Sequence, residues 1–169
     1  MLASNNAEIF KTQHSITHDG LDIRFVVNTI APYRLTKQLE GLIGSTGRVV
    51  NLSSAAQAPV NLDALGGAAH LTAMDAYAQS KLAITMRTRV MAESPDAPIM
   101  IAINPSTMLG SKMVKEGFGV DGEDLSVGVD ILCRAALSKE FESASGHYFD
   151  NDKGKFTSRH TQTHSMQLS

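Results

Sequence analysis

Two short β-rich runs, Arg48-Val49-Val50-Asn51-Leu52-Ser53-Ser54 and Ile99-Met100-Ile101-Ala102-Ile103, restrict the fold of this chain more than any other feature. Neither alternates apolar with polar residues, so neither suits a strand with one face in water; both suit strands covered on two faces, as in a parallel sheet. Parallel neighbours need a crossover, and residues 76–93 supply one: they are rich in Ala, Ile, Leu and Met, and Ser94-Pro95 ends them. Before the first run, Met1-Leu2-Ala3-Ser4 reads as the stub of another strand, and residues 21–43 carry apolar side chains at near-helical spacing until Gly44 and Gly47 stop them. That helix contains a fault at Pro32, which has no N–H for the Asn28 carbonyl and pushes it aside. After the second run come a polar, Gly-bearing stretch over 107–122, a helix over 123–137 and a short strand, Gly146-His147-Tyr148-Phe149. The alternation predicts an α/β fold with an open parallel sheet of about four strands and flanking helices, occupying residues 1–150, with a polar tail over 151–169 expected to fray.

In such sheets ligands bind beyond the carboxyl ends of the strands. Asn5-Asn6-Ala7, Ser54 and the stretch from Asn104 to Ser111 all fall there. Tyr77 and Lys81 lie four residues apart at the start of the adjoining helix, so their side chains share one face. A phenol ionises near pH 10 in water, and a cation held close favours its phenolate, which suits Tyr77 to general acid/base work on an alcohol or carbonyl oxygen.

Charge narrows the partners. Fifteen Lys and Arg against seventeen Asp and Glu leave a net charge of -2, with no basic surplus for nucleic acid or an anionic membrane. Cys133 is the only cysteine, so no internal disulfide forms; it is expected to be a buried helix residue in a reducing compartment. There is no basic-then-apolar leader and no uninterrupted apolar stretch of membrane-spanning length, which predicts a cytoplasmic chain.

The polar clusters together resemble the C-terminal part of a short-chain dehydrogenase/reductase, in the style of the retinol-dehydrogenase-like members. Asn5-Asn6-Ala7-Glu8 resembles the family's N-N-A-G, Val27-Asn28 the Asn of its long helix, and Val50-Asn51-Leu52-Ser53-Ser54 the strand that delivers its catalytic Ser. Tyr77 and Lys81 complete the tetrad, and the long connection between Ser54 and Tyr77 is similar to the insertion of the retinol-dehydrogenase-like group. The resemblance implies a Rossmann-type doubly wound sheet and hydride transfer between NAD or NADP and a small-molecule carbonyl or alcohol. It assigns Ser54 to the substrate oxygen, Tyr77 to proton transfer, Lys81 to the nicotinamide ribose and the Asn28 carbonyl to a relay water. Cofactor contacts would come from Asn5, Asn6, Ala7, Tyr77, Lys81, Pro105, Ser106, Thr107 and Ser111. The helices at 21–43 and 76–93 would form a homo-oligomer interface.

The chain departs from that pattern where the dinucleotide should sit. The fold places a Gly-rich turn between its first strand and first helix, and nothing before Asn5 supplies one, so the chain is expected to be N-terminally truncated and to bind cofactor weakly alone. Gly117-Phe118-Gly119-Val120-Asp121-Gly122 spells G-x-G-x-x-G but follows a polar loop instead of a strand, and is expected to be a substrate lid. Glu8 and Ser106 stand where the family has Gly. The six His residues show no metal-ligand spacing, and no G-x-S-x-G supports a hydrolase. Two function classes stay open at this point: an oxidoreductase, or an inactive remnant acting through association.

Overall fold

A computed structural model describes residues 1–157, apart from the Phe118 side chain. Five strands make one sheet in the order β1 (Leu2–Asn5), β2 (Arg48–Leu52), β3 (Ile99–Asn104), β4 (Tyr148–Asp150) and β5 (Lys155–Phe156). The first four are parallel; β5 returns antiparallel to β4. The two apolar runs are the central strands, as their lack of alternation predicts.

Successive residues of β2 and β3 point to opposite faces, and both faces are covered. Val49 and Met100 pack with Ile43 of α2 (Ala31–Ile43) and with Met91 of α4 (Ala73–Ala92). Val50, Ile101 and Ile103 pack on the other face with Ile131 and Ala135 of α6 (Leu125–Leu137), and with Phe141 and Phe149. Burying a side chain of this size contributes roughly 1.5–3 kcal/mol, so these two layers hold the sheet. β1 is different: Ala3 packs inward, whereas Leu2 and Ser4 are exposed.

The helix expected over 21–43 begins at Ile23, capped by the Asp22 side chain, and is not uniform. One α turn, α1 (Ile23–Phe25), leads into a π turn over Val26–Ile30, and α2 follows with Pro32 in its first positions. The fault is therefore an extra residue in the helical ladder just before the proline, which rotates Asn28 and Thr29 into the interior. At the far end of α2, Gly47 lets the chain turn tightly into β2, because a Cβ there would come within 2.7 Å of the Met1 carbonyl oxygen.

Several boundaries shift for local reasons. Thr72 caps α4, accepting from the Asp75 N–H at 3.1 Å and donating to its carboxylate at 2.7 Å, so this helix starts three residues ahead of Ala76. A short helix, α3 (Leu62–Leu65), capped by Asn61, interrupts the connection after β2. Another, α5 (Lys112–Phe118), occupies the middle of the stretch expected to be loop. Cys133 is exposed, not buried: α6 turns Ile131 and Ala135 inward and Leu125, Val129, Cys133 and Leu137 outward. The domain also runs past residue 150, since residues 151–154 form a turn and β5 pairs Phe156 with Phe149. The rest of the expected tail, 158–169, lies outside the described residues. No helix among the described residues is long and apolar enough to cross a membrane.

Candidate active site

At its carboxyl rim the sheet exchanges apolar partners for amides and carboxylates. Asn5 pairs with Asn51 in register, and its Nδ2 donates to Asn51 Oδ1 at 2.7 Å and to Thr36 Oγ1 at 3.2 Å. Asn104 is in register with Asp150 and donates to its Oδ1 at 3.0 Å. These pairs tie the strand ends together and so fix the loops that leave them.

The first turns of α4 are buried almost all round, from Ala76 through Lys81. A helix can bury polar side chains this deeply only if each finds a partner. The Ser80 hydroxyl donates to the Tyr77 carbonyl at 2.7 Å and accepts from Asn28 Nδ2 at 3.0 Å; Thr29 donates to the Ser80 carbonyl at 2.8 Å. Asn28 also accepts from Ile9 N at 2.8 Å and donates to Ile9 O at 3.0 Å, acting as a strand-like partner for the segment after β1. On the sheet side, Ser53 donates to the Lys81 carbonyl at 3.0 Å and lies 2.7 Å from the Thr85 hydroxyl.

Within this frame Ser54, Tyr77 and Lys81 come together. The Ser54 side chain lies beside Tyr77, where its hydroxyl favours the phenolate. The Ser54 carbonyl is held by the Tyr148 hydroxyl at 3.0 Å and by Gln57 Nε2 at 2.8 Å. The Lys81 ammonium lies 5.5 Å from the centre of the Tyr77 ring, donates to the Leu52 carbonyl at 3.1 Å and forms an ion pair with the Glu8 carboxylate. Lys81 is only 1% exposed, whereas the Glu8 side chain is 23% exposed. Phe10 packs edge-on against Tyr77, with ring centres 5.2 Å apart, and its ring also lies against Gly117 of α5. Burial, followed by the charge of Glu8, pushes the Tyr77 phenol well above its ordinary value; the Ser54 hydroxyl opposes both.

Of the other residues singled out in the sequence, Asn5 is engaged in the rim ladder, while Asn6 and Ala7 are exposed beside it. The loop after β3 is bound to the turn after β4. Asp152 accepts from the Thr107 N–H at 2.9 Å, from Ser106 Oγ at 2.9 Å, from Asn104 Nδ2 at 2.9 Å and from the Thr107 hydroxyl. Asn151 donates to the Pro105 carbonyl at 2.7 Å. Ser111 caps α5 through Val114 N at 3.3 Å. The G-x-G-x-x-G string spans the end of α5 and the turn after it, with Gly119 and Gly122 at positive φ. No group of His, Cys, Asp and Glu among the described residues could hold a metal ion.

Phe10, Gln57 and Tyr148 were not legible as site residues, and Glu8 was legible only as a replacement for the family's Gly, not as the partner of Lys81. Their approach depends on strand register and on the path of loops, and only the closeness of Glu8 to the Asn5-Asn6-Ala7 string hinted at its position.

No family model matches the chain. It is 28% identical over 171 residues to the polyprenol dehydrogenase of Homo sapiens and 30% identical over 169 residues to retinol dehydrogenase 12 of Mus musculus. These matches take in 88% and 91% of this chain but 52% and 53% of the relatives, so the chain spans about half the length of the curated relatives it matches. Among solved structures, an E. coli oxidoreductase superposes with a TM-score of 0.62 at 22% identity, covering 89% of this chain and 61% of the other. The NADPH-bound carbonyl reductase from chicken fatty liver superposes with a TM-score of 0.59 at 23% identity, covering 91% of this chain and 64% of the other. These neighbours have the same fold.

Proposed function

The chain belongs to the short-chain dehydrogenase/reductase family, and we propose that Ser54, Tyr77 and Lys81 form the proton-transfer centre of a nicotinamide-dependent oxidoreductase acting on a small carbonyl or alcohol. The observation that carries the proposal is the meeting of the Ser54 hydroxyl, the Tyr77 phenol and the Lys81 ammonium at the carboxyl rim of the sheet. Bound NAD or NADP would supply or take up the hydride at the substrate carbon. In the reducing direction Ser54 orients the substrate oxygen with a hydrogen bond, and Tyr77 gives that oxygen its proton as the carbon–oxygen double bond opens. Asn28 contributes its main-chain carbonyl, which Pro32 cannot serve as a donor, as the seat of a water that returns the proton toward Lys81 and Tyr77.

The donor set suits the nicotinamide end of such a cofactor. An ammonium, a phenol and a carboxylate side by side match the vicinal hydroxyls of a ribose, which both donate and accept. Asn5, Asn6 and Ala7 would add contacts beside the ribose, and Pro105, Ser106, Thr107 and Ser111 would hold the carboxamide. The segment between β1 and α1 holds a single glycine, Gly20, and so provides no Gly-rich turn for a pyrophosphate. The chain alone should therefore bind NADPH or NADH no better than millimolar, because few contacts offset the cost of ordering a large ligand, on the order of several kcal/mol.

A second reading, association without turnover, is favoured by the apolar surface that the two long helices leave exposed: Leu35 and Leu42 on α2, Met86 and Val90 on α4. Joining the chain behind the dinucleotide-binding half of a relative and assaying the folded fusion with NADPH and a panel of aldehydes and ketones separates the two. The oxidoreductase reading expects NADPH-dependent reduction. A fusion that binds NADPH at micromolar concentration yet turns over nothing, and assembles through α2 and α4, would leave association as the function.

A further inference from the structure

We propose that Glu8 is a positioning residue for the proton-transfer centre: its ion pair with Lys81 withholds the ammonium from Tyr77 and keeps the phenol in its proton-donating form. The proposal deepens the oxidoreductase reading of Tyr77 and rests on it.

The geometry is specific. Lys81 is buried, and among the described residues its ammonium is held by the Glu8 carboxylate and by the Leu52 carbonyl at 3.1 Å. A buried cation paired with a carboxylate acts on a neighbour as a dipole instead of a net charge, so its pull on a nearby phenolate largely cancels. Glu8 reaches the pair from the segment after β1, which Asn28 fixes through both backbone groups of Ile9. The carboxylate is thus held in place and is not a mobile surface group.

Among the described residues, the other charged or ionisable groups near the site leave Glu8 as the deciding one. On the α1 side stands Arg24, whose guanidinium is paired with Asp22 at 3.0 Å and donates to the Phe10 carbonyl at 2.7 Å, so its charge is already matched. On the sheet side are the Ser54 hydroxyl and Tyr148, whose hydroxyl donates to the Ser54 carbonyl. On α4 itself there is Lys81. The direction of the Tyr77 shift agrees with this arrangement, since the Glu8 charge adds to burial in disfavouring the phenolate.

The consequence concerns the direction of chemistry. With Glu8 in place Tyr77 is poised to give a proton to a carbonyl oxygen, and the phenolate that takes one from an alcohol is the less populated form. Removing the Glu8 charge makes Tyr77 itself the natural anion for Lys81.

The chain has three tyrosines, so ¹³C-tyrosine labelling gives three ring-carbon titrations, and loss of one signal in Tyr77→Phe assigns Tyr77. In Glu8→Gln, which keeps size and hydrogen bonding but removes the charge, the Tyr77 midpoint should fall by about one pH unit or more relative to the parent. Glu8→Asp should restore the parental curve in part, and Tyr33 and Tyr148 should move little in either variant. Glu8→Gly, with circular dichroism to confirm folding, serves if the amide variant does not fold. An unchanged or raised Tyr77 midpoint in folded variants would overturn the proposal. The titration needs neither cofactor nor turnover, so it can fail while the oxidoreductase reading stands, and the reverse.

Discussion

The Asn28 carboxamide donates to the Ser80 hydroxyl at 3.0 Å, joining the π turn after α1 to the buried first turns of α4. Ser80 passes the contact on, donating to the carbonyl of Tyr77 at 2.7 Å. The same carboxamide holds both backbone groups of Ile9, one residue beyond Glu8. One buried side chain therefore sets three segments of the site against one another.

Asn28→Ala removes those bonds and leaves the Ile9 amide and the Ser80 hydroxyl without their partner in the interior. Each such loss costs about 1–3 kcal/mol, so unfolding in urea should show a destabilisation of roughly 2–4 kcal/mol. A loss below about 0.5 kcal/mol would mean that water replaces the carboxamide without penalty.

Pro32→Ala returns an N–H to the helix directly after the π turn. The added hydrogen bond should raise unfolding stability by about 1 kcal/mol, after allowance for the freer unfolded chain. If the Asn28 carbonyl seats the relay water, the rate of the fused enzyme should fall at the same time. A rate equal to or above the parent's would reduce Pro32 to a bend in the helix.

Asp152 anchors the loop after β3. Burial alone would raise its carboxyl, but hydrogen bonds from Thr107, Ser106 and Asn104 outweigh it and hold the group below the ordinary value. A carboxylate depressed in the folded state adds stability above its unfolded value, near pH 4, and that stability is lost as the pH falls through the folded value. Thermal unfolding of the parent should therefore weaken below about pH 4, and Asp152→Asn should show a shallower acid dependence over the same range. Parallel curves for the two proteins would remove Asp152 from the loop's stability.

What the sequence disclosed and what it withheld divide along physical lines. β2 and β3 were legible because burial on both faces writes an unbroken apolar run, and Tyr77 and Lys81 because helical spacing is local. The π turn was legible only as a fault at Pro32, since the extra residue depends on Asn28 finding Ile9 and Ser80. Cys133 is apolar in a largely apolar helix, and only the packing of Ile131 and Ala135 on β2 and β3 decides which side faces water. The polar Asp150-Asn151-Asp152 turn reads as the start of a tail, yet its carboxylates answer donors from β3 and the loop after it. Glu8 and Lys81 are 73 residues apart, and their pairing follows from the β1–β2 register and the depth of α4.

The most direct measurement is the turnover of the fused enzyme carrying Tyr77→Phe, with folding checked by circular dichroism and NADPH binding by calorimetry. The variant loses only the phenolic hydroxyl, so fold and cofactor affinity should persist while kcat falls about 100-fold or more. A kcat within a few-fold of the parent's, in a folded protein that binds NADPH equally well, would contradict the assignment of Tyr77 as the proton donor and with it the account of this site.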